Sequence, residues 1–224
     1  LGEIERFESA AHDQGPDQAY LGLVNRLLAS PHYGERWGRH WLDVARYVQG
    51  KTKVAAVART DMAEPYRDYV VRSLNADKPF DRFVLEQLAG DLLARDPATG
   101  GEDEQSYFDL LSAPGFLSIG PWFADCADPN SLRMDIIDEQ MTTTTQAFLG
   151  LNFGCARCHN HFFDPIPTRD YYALAGIFGS TRILKENSEN WRDGRYRLTQ
   201  PEASAERIRA EQRVRGIIAN LRRD

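Results

Sequence analysis

Apolar positions along the chain recur at intervals of three and four residues, whereas convincing alternation of apolar and polar residues is scarce. The first spacing is typical of amphipathic helices, and the second would indicate half-buried strands. The pattern therefore predicts a mainly α-helical fold, an irregular multi-helix domain with long loops. The predicted helical stripes begin near Leu1, Tyr20, Trp37, Tyr66, Phe80, Met134 and Tyr171.

A proline separates the second and third predicted helices. Ser30 and Pro31 end one helix and begin the next, because proline fits the first turn of a helix. The next helix carries an aromatic face, which we expect to be buried. The residues of that face are Trp37, His40, Trp41, Val44 and Val48.

Polar residues and prolines mark the later boundaries. Asp61 and Glu64 have the spacing of a capping box, and Thr168 is expected to cap the last helix of this region. Residues 94–106 are rich in Asp, Gly and Pro and predict a loop. Residues 115–122 lie between two prolines and predict irregular apolar packing.

The end of the chain differs in composition from the rest. Residues 1–180 are predicted to form one helical domain. Residues 181–200 are polar and predict an irregular segment, and residues 201–224 predict a charged helix with a thin apolar stripe. Such a helix suits a coiled-coil arm, a linker to a further domain or an assembly contact.

Composition excludes some classes of protein. The chain has 224 residues, of which 42% are apolar, and this is enough for a packed core. A net charge of −6 argues against a nucleic-acid partner, which would require a basic surface. No apolar run approaches the length of about 18 residues that a spanning helix needs. Since the first residue is Leu1, we expect either a removed leader or a longer polypeptide.

The most specific feature is the run from Cys155 to His159, which reads Cys-Ala-Arg-Cys-His. Two thiols at this spacing can form thioether bonds to a haem, and the adjoining imidazole can bind its iron. Chance would give the pattern in roughly one chain in a thousand of this composition. It predicts covalently attached haem c, with Cys155, Cys158 and His159 as binding residues. Covalent attachment takes place outside the bacterial cytoplasmic membrane, so a periplasmic or extracytoplasmic location is expected.

Zinc is the alternative cofactor at the same cysteines. A tetrahedral site can be assembled from Cys126, Cys155, Cys158 and either His159 or His161. A second closely spaced pair of ligands is missing, because Cys126 stands 29 residues before Cys155. A disulfide between the motif cysteines is a third reading.

Several ordered segments carry a family resemblance. They are residues 30–37, 39–43, 75–83, 87–91, 147–151, 155–159 and 164–172, within a stretch from about residue 20 to 180. They resemble the planctomycete cytochrome-associated domain of unknown function. The resemblance implies an exported bacterial protein, often with a cytochrome c module before this domain and another uncharacterised domain after it. The chain departs from the family at Phe162, where Lys is usual, and in the loop over residues 49–60.

The axial ligands of the iron are the next question. His159 is the expected proximal ligand, and its other ring nitrogen should donate to a carbonyl or carboxylate oxygen. Residues 164–167 either supply that acceptor or form only a turn before the next helix. His40 is the first candidate for the far side of the iron, because an unpaired imidazole on a buried aromatic face would be costly. A satisfied core histidine explains the same pattern. His161 is a further candidate ligand, although it would point away from His159 in a helix.

These features predict an exported c-type cytochrome domain that transfers single electrons through one haem, inside a larger redox protein or assembly. The expected partner is a redox protein or a neighbouring haem domain. There are two alternatives. One is a peroxidase-like haem enzyme with an open distal side, and the other is a non-catalytic interaction domain with a structural zinc at the same cysteines. No catalytic residue is assigned, because the motifs of common hydrolases are missing. Asp135, Asp138 and Glu139 are either a carboxylate metal site or an ordinary acidic helix face.

Overall fold

The computed structural model describes residues 2–47, 56–57, 60–96, 98–99, 103–122 and 128–180. These residues form eight α-helices, two 3₁₀ helices and one antiparallel pair of two-residue strands, which confirms the prediction of a mainly helical fold. The predicted arm over residues 181–224 and the thiol of Cys126 lie outside the described residues. The helices are α1 (Gly2–Gln14), α2 (Pro16–Leu28), α3 (His32–Val44), α4 (Thr60–Asn75), α5 (Phe80–Arg95), α6 (Glu104–Ser112), α7 (Pro129–Leu149) and α8 (Thr168–Gly179), and the strands are β1 (Ala56–Val57) and β2 (Pro121–Trp122).

An aromatic cluster around the partly buried Trp41 packs against the core. The Trp41 ring centroid lies 5.0 Å from that of Phe83, 6.1 Å from Phe116 and 5.8 Å from Phe148. These rings belong to α3, α5, the 3₁₀ helix Ala113–Leu117 and α7. Offset and edge contacts between aromatic rings stabilise a fold beyond the gain from burying their surface. One cluster therefore joins four elements that are distant in sequence.

Glycine allows α3 to approach α4 closely. A Cβ atom on Gly34 would lie 2.4 Å from the carbonyl oxygen of Val71, so a larger residue would force the helices apart. The backbone nitrogen of Gly34 donates to Oδ1 of Asn75 at 2.7 Å. Nδ2 of Asn75 in turn donates to the carbonyl oxygen of Pro31 at 2.9 Å. The start of α3 is thereby fixed against the end of α4.

The prediction that the aromatic face of α3 is buried is wrong except at Trp41, which packs against the core. Trp37 is 53% exposed, Val44 is 46% exposed and His40 is exposed as well. Val48 lies outside the described residues. The face of α3 that meets α4 is instead made by small residues with Trp41 between them, since close helix packing favours small side chains at the contact. These buried small residues are Gly34, Gly38 and Ala45.

Two further boundaries differ from the predicted ones. Helix α6 begins inside the predicted loop, because the side chain of Asp103 caps it by accepting from the backbone nitrogen of Ser106 at 2.7 Å. Helix α7 begins at Pro129, before the apolar stripe predicted from Met134, and Asp128 is its cap. The predicted capping box at Asp61 cannot be assessed, because that side chain is outside the described set. The predicted irregular packing over residues 115–122 holds only for residues 118–120, because residues 115–117 end a 3₁₀ helix that buries Phe116 and residues 121–122 form β2.

The lengths and apolar character of the helices also bear on membranes. Among the described residues, no helix combines the length and the apolar composition that crossing a bilayer requires.

Candidate functional site

The cysteine motif follows a sharp change of direction at the end of α7. Gly150 has a φ of 67°, a left-handed conformation that ends the helix at low cost for glycine. The chain then enters a second 3₁₀ helix, Gly154–Arg157. Ala156 is fully buried there, whereas Cys155 and Cys158 are exposed and are not joined by a disulfide. The backbone therefore turns both thiols outward.

Side chains of α7 and α8 hold this loop in place. The hydroxyl of Tyr172 donates to the carbonyl oxygen of Arg157 at 3.0 Å. The guanidinium of Arg157 lies 3.8 Å from the carboxylate of Asp135 and 3.7 Å from that of Asp138. The hydroxyl of Tyr171 donates to Asp138 at 2.6 Å. Burial, and to a smaller extent the Asp138 carboxylate, raises the pKa of Tyr171, so the hydroxyl keeps its proton. The acidic face of α7 thus serves to anchor the loop.

Asn160 connects the loop to the start of α8. Its side-chain oxygen accepts from the backbone nitrogen of Thr168 at 3.0 Å. The prediction that Thr168 is the cap is wrong, because Thr168 is the first helical residue and Pro167 occupies the capping position without a side-chain hydrogen bond. The orphan backbone donor is satisfied from eight residues upstream.

His159 has one ring nitrogen bonded and the other available. Its Nδ1 lies 2.8 Å from the carbonyl oxygen of Asn160, and the side chain is exposed. A carbonyl oxygen can only accept, so Nδ1 carries the proton and Nε2 keeps its lone pair. This is the tautomer that metal-binding histidines adopt. A carbonyl partner was expected, but it comes from Asn160 and not from residues 164–167.

His161 has the opposite arrangement. Its Nδ1 accepts from the backbone nitrogens of Asp164 at 2.9 Å and Phe163 at 3.3 Å, so the ring proton is on Nε2. Oδ2 of Asp164 lies 3.3 Å from the same Nδ1. The backbone nitrogen of His161 donates to the carbonyl oxygen of Ile166 at 2.9 Å. These bonds give His161 a structural part in closing the loop.

Two phenylalanines beside these histidines are open to solvent. Phe162 is 80% exposed and Phe163 is 93% exposed. The ring centroid of Phe162 lies 4.6 Å from that of His159, whereas the ring of Phe163 lies 6.3 Å from that of His161. Each ring therefore lies beside a different histidine. In the sequence, Phe162 stood out only as a departure from a family pattern.

The other candidate ligands are placed apart from this loop. His40 lies on the exposed side of α3, where its ring is 5.5 Å from that of Trp37. Among the described residues, no three histidine, cysteine or acidic side chains form a group that could hold a metal ion, so His40, His159 and His161 do not converge. The zinc alternative needs Cys126, which is outside the described part of the chain.

A partly buried ion pair joins two residues that the sequence did not connect. Nη2 of Arg46 lies 2.6 Å from Oε1 of Glu139, although Arg46 follows α3 and Glu139 lies on α7. Burial raises the pKa of Glu139 to about 7 despite the guanidinium, and it lowers the pKa of Arg46. A Cβ atom on Gly120 would lie 2.0 Å from Oε1 of Glu139, so glycine is required to admit the carboxylate. A separation of 93 residues leaves no sequence signal for this pair.

Two open grooves lie elsewhere on the surface. One of about 600 Å³ runs between α3 and α4, and one of about 1080 Å³ lies beside α4, α5 and α6. Both have charged walls, and neither is lined by residues of the cysteine motif. The candidate site is consequently the exposed loop over residues 154–163 and not a deep cavity.

The fold and the site define a helical domain that presents a Cys-x-x-Cys-His loop on its surface. The chain belongs to the PSCyt2 family, described as a protein of unknown function (DUF1549), whose family model matches residues 1–183. No curated protein and no solved structure matches the chain.

Proposed function

We propose that this chain is a c-type cytochrome domain of an exported bacterial protein, which transfers single electrons through one covalently attached haem. The observation that supports this most directly is the state of His159. Its Nδ1 donates to the Asn160 carbonyl, so Nε2 is free to bind iron one residue after the exposed Cys158 thiol.

The residues of the loop fit a covalently bound haem. Cys155 and Cys158 are exposed and reduced, so both thiols can form thioether bonds with vinyl groups. When bound, haem supplies an iron that cycles between the ferrous and ferric states and carries one electron. His159 holds that iron from one side, and its bonded Nδ1 fixes the orientation of the ring.

The anchoring of the loop also favours this function. Tyr172, Asp135 and Asp138 hold Arg157, which lies between the two cysteines, and Asn160 ties the following residues to α8. Ligands whose supporting residues are fixed keep their geometry when the charge of the metal changes. Electron transfer benefits because little of the protein has to rearrange.

The family resemblance of the sequence supports the compartment and the partner. A planctomycete cytochrome-associated domain implies export, and the electron partner we propose is a redox protein or a neighbouring haem domain in a larger assembly. The net charge of −6 suits a protein partner and not a nucleic acid.

An absorption spectrum of the native protein, purified from a host that matures cytochromes c, tests the proposal. We expect a Soret band that remains with the polypeptide after acid-acetone extraction, because thioether bonds are covalent. The double variant C155S/C158S should lose this band, whereas C126S is the matched control and should keep it. A spectrum without a Soret band, together with one zinc ion per chain, would establish the zinc-held interaction domain instead.

The far side of the iron needs a separate experiment. The assignment of His40 to that position stays a prediction. It was based on a buried imidazole, whereas the side chain of His40 is exposed. Reduced spectra with and without carbon monoxide tell a closed iron from an open one. If His40 is the ligand, H40A should become sensitive to carbon monoxide while H32A, an exposed histidine of the same helix, should not. A wild-type protein that already binds carbon monoxide would favour the peroxidase-like alternative.

A further inference from the structure

Phe162 is the exposed aromatic side chain that touches the candidate iron ligand. Its ring centroid lies 4.6 Å from that of His159, with 48° between the ring planes. The contact covers little of the phenylalanine, which remains 80% exposed. A large apolar side chain in this position gains almost nothing from burial within the fold itself. Its exposed ring is therefore available to a group that binds at His159.

We propose that Phe162 is an apolar contact of the porphyrin on the side of the ring that His159 occupies, an inference that rests on the function proposed above. His159 would hold the haem through Nε2, and Phe162 packs against the same imidazole. Its exposed ring would therefore be among the apolar side chains nearest to that group. The anchoring thiols of Cys155 and Cys158 belong to the same loop, so the covalent group cannot lie far from Phe162.

Phe163 provides a contrast within the same loop. It is exposed to a similar degree, at 93%, but its ring lies beside His161 and not beside His159. The Nδ1 lone pair of His161 is already used by two backbone donors. The two neighbouring phenylalanines thus differ in which histidine they touch and hardly in exposure.

The contact has a consequence for the redox equilibrium. Apolar cover excludes water from one part of the iron site, and this disfavours the ferric state because it carries one more positive charge. Phe162 is therefore expected to raise the reduction potential. It is a positioning and covering residue and takes no part in forming the thioether bonds.

Potentiometric titration of the haem-loaded full chain tests this role. F162A should keep its covalent haem and its far-ultraviolet circular dichroism, yet its midpoint potential should shift to a more negative value. F162L restores apolar volume and should return most of the shift. F163A is the matched control and should leave the potential unchanged.

The outcomes separate this inference from the proposed function. A wild-type protein without acid-acetone-resistant haem would overturn both. Covalent haem in all variants, with an unchanged potential in F162A or with equal shifts in F162A and F163A, would overturn the role of Phe162 alone. A shift that F162L fails to reverse would also count against apolar cover.

Discussion

The carbonyl oxygen of Asn160 lies 2.8 Å from Nδ1 of His159 and thereby determines which nitrogen of that imidazole is free. The side chain of the same Asn160 caps α8 at Thr168. One residue therefore orients the candidate ligand through its backbone and ties the loop to a helix through its amide. The geometry of the loop and the stability of α8 are coupled at this point.

Replacing Asn160 tests the second of these contacts. N160A removes the oxygen that accepts from the backbone nitrogen of Thr168, so we expect a loss of about 1 kcal/mol in the free energy of unfolding. N160D keeps an acceptor at the same position and should lose less. Urea denaturation measures both variants, and equal losses would show that the cap contributes nothing.

His161 and His159 are expected to respond in opposite ways to substitution. H161A removes the acceptor of two backbone nitrogens, exposed at Phe163 and partly buried at Asp164, so the free energy of unfolding should fall by about 0.5–1.5 kcal/mol. The iron-bound spectrum of H161A should persist. H159A should change that spectrum through loss of the axial ligand, while its unfolding free energy without haem should stay within about 0.5 kcal/mol of wild type. Denaturation and absorption spectra together distinguish the two roles, and a spectral change of the same kind in H161A would contradict them.

The helices could be predicted from the sequence because each carries its own local pattern. The period of apolar positions gave α2, α3, α4, α5, α7 and α8 to within a few residues. The orientation of α3 could not be predicted in this way. Its contact with α4 depends on Gly34 and Gly38, whose small size matters only when another helix lies against them.

The candidate site likewise has a part that could be predicted from the sequence and a part that could not. Cys155, Cys158 and His159 were recognised because their chemistry is encoded by spacing alone. The tautomer of His159 depends on the direction of a carbonyl group, and the structural role of His161 depends on a turn that proline placement only hints at. Helix α6 was missed because the Asp, Gly and Pro before it dominated the local composition, although Asp103 is an ordinary cap.

The hydroxyl of Tyr66 is expected to stabilise the fold through its hydrogen bonds inside the core. Its buried hydroxyl donates to Oε1 of Gln87 at 2.5 Å and accepts from Nε1 of Trp41 at 2.9 Å. Burial raises the pKa of Tyr66, so the hydroxyl keeps its proton at neutral pH and acts as a donor. Y66F should lower the free energy of unfolding by about 1 kcal/mol, because the buried bond to Gln87 is lost while Nε1 of Trp41 keeps Oε1 of Gln87 as an acceptor at 3.2 Å. Y20F, at a position 60% exposed on α2, is the control and should change it by less than about 0.5 kcal/mol.

The raised pKa of Glu139 should make the free energy of unfolding depend on pH. Its pKa of about 7 in the folded protein lies above the ordinary value of 4.5, so the folded state holds a proton that the unfolded state releases. The contribution of this group is therefore fully present below about pH 4.5 and is lost as the pH rises through about 7. The difference between the two values corresponds to about 3 kcal/mol.

Substitution by glutamine removes this titration while keeping a polar group beside Arg46. E139Q should match wild type near pH 5 and should exceed it in free energy of unfolding near pH 8, because the variant never has to carry a buried negative charge. Denaturation curves between pH 5 and pH 8 measure the difference between the two proteins. E5Q, at an exposed glutamate of α1, is the control and should show a constant difference from wild type. A parallel pH profile for E139Q would mean that Arg46 fully compensates the carboxylate, because the guanidinium 2.6 Å away would then hold Glu139 ionised at its ordinary pKa.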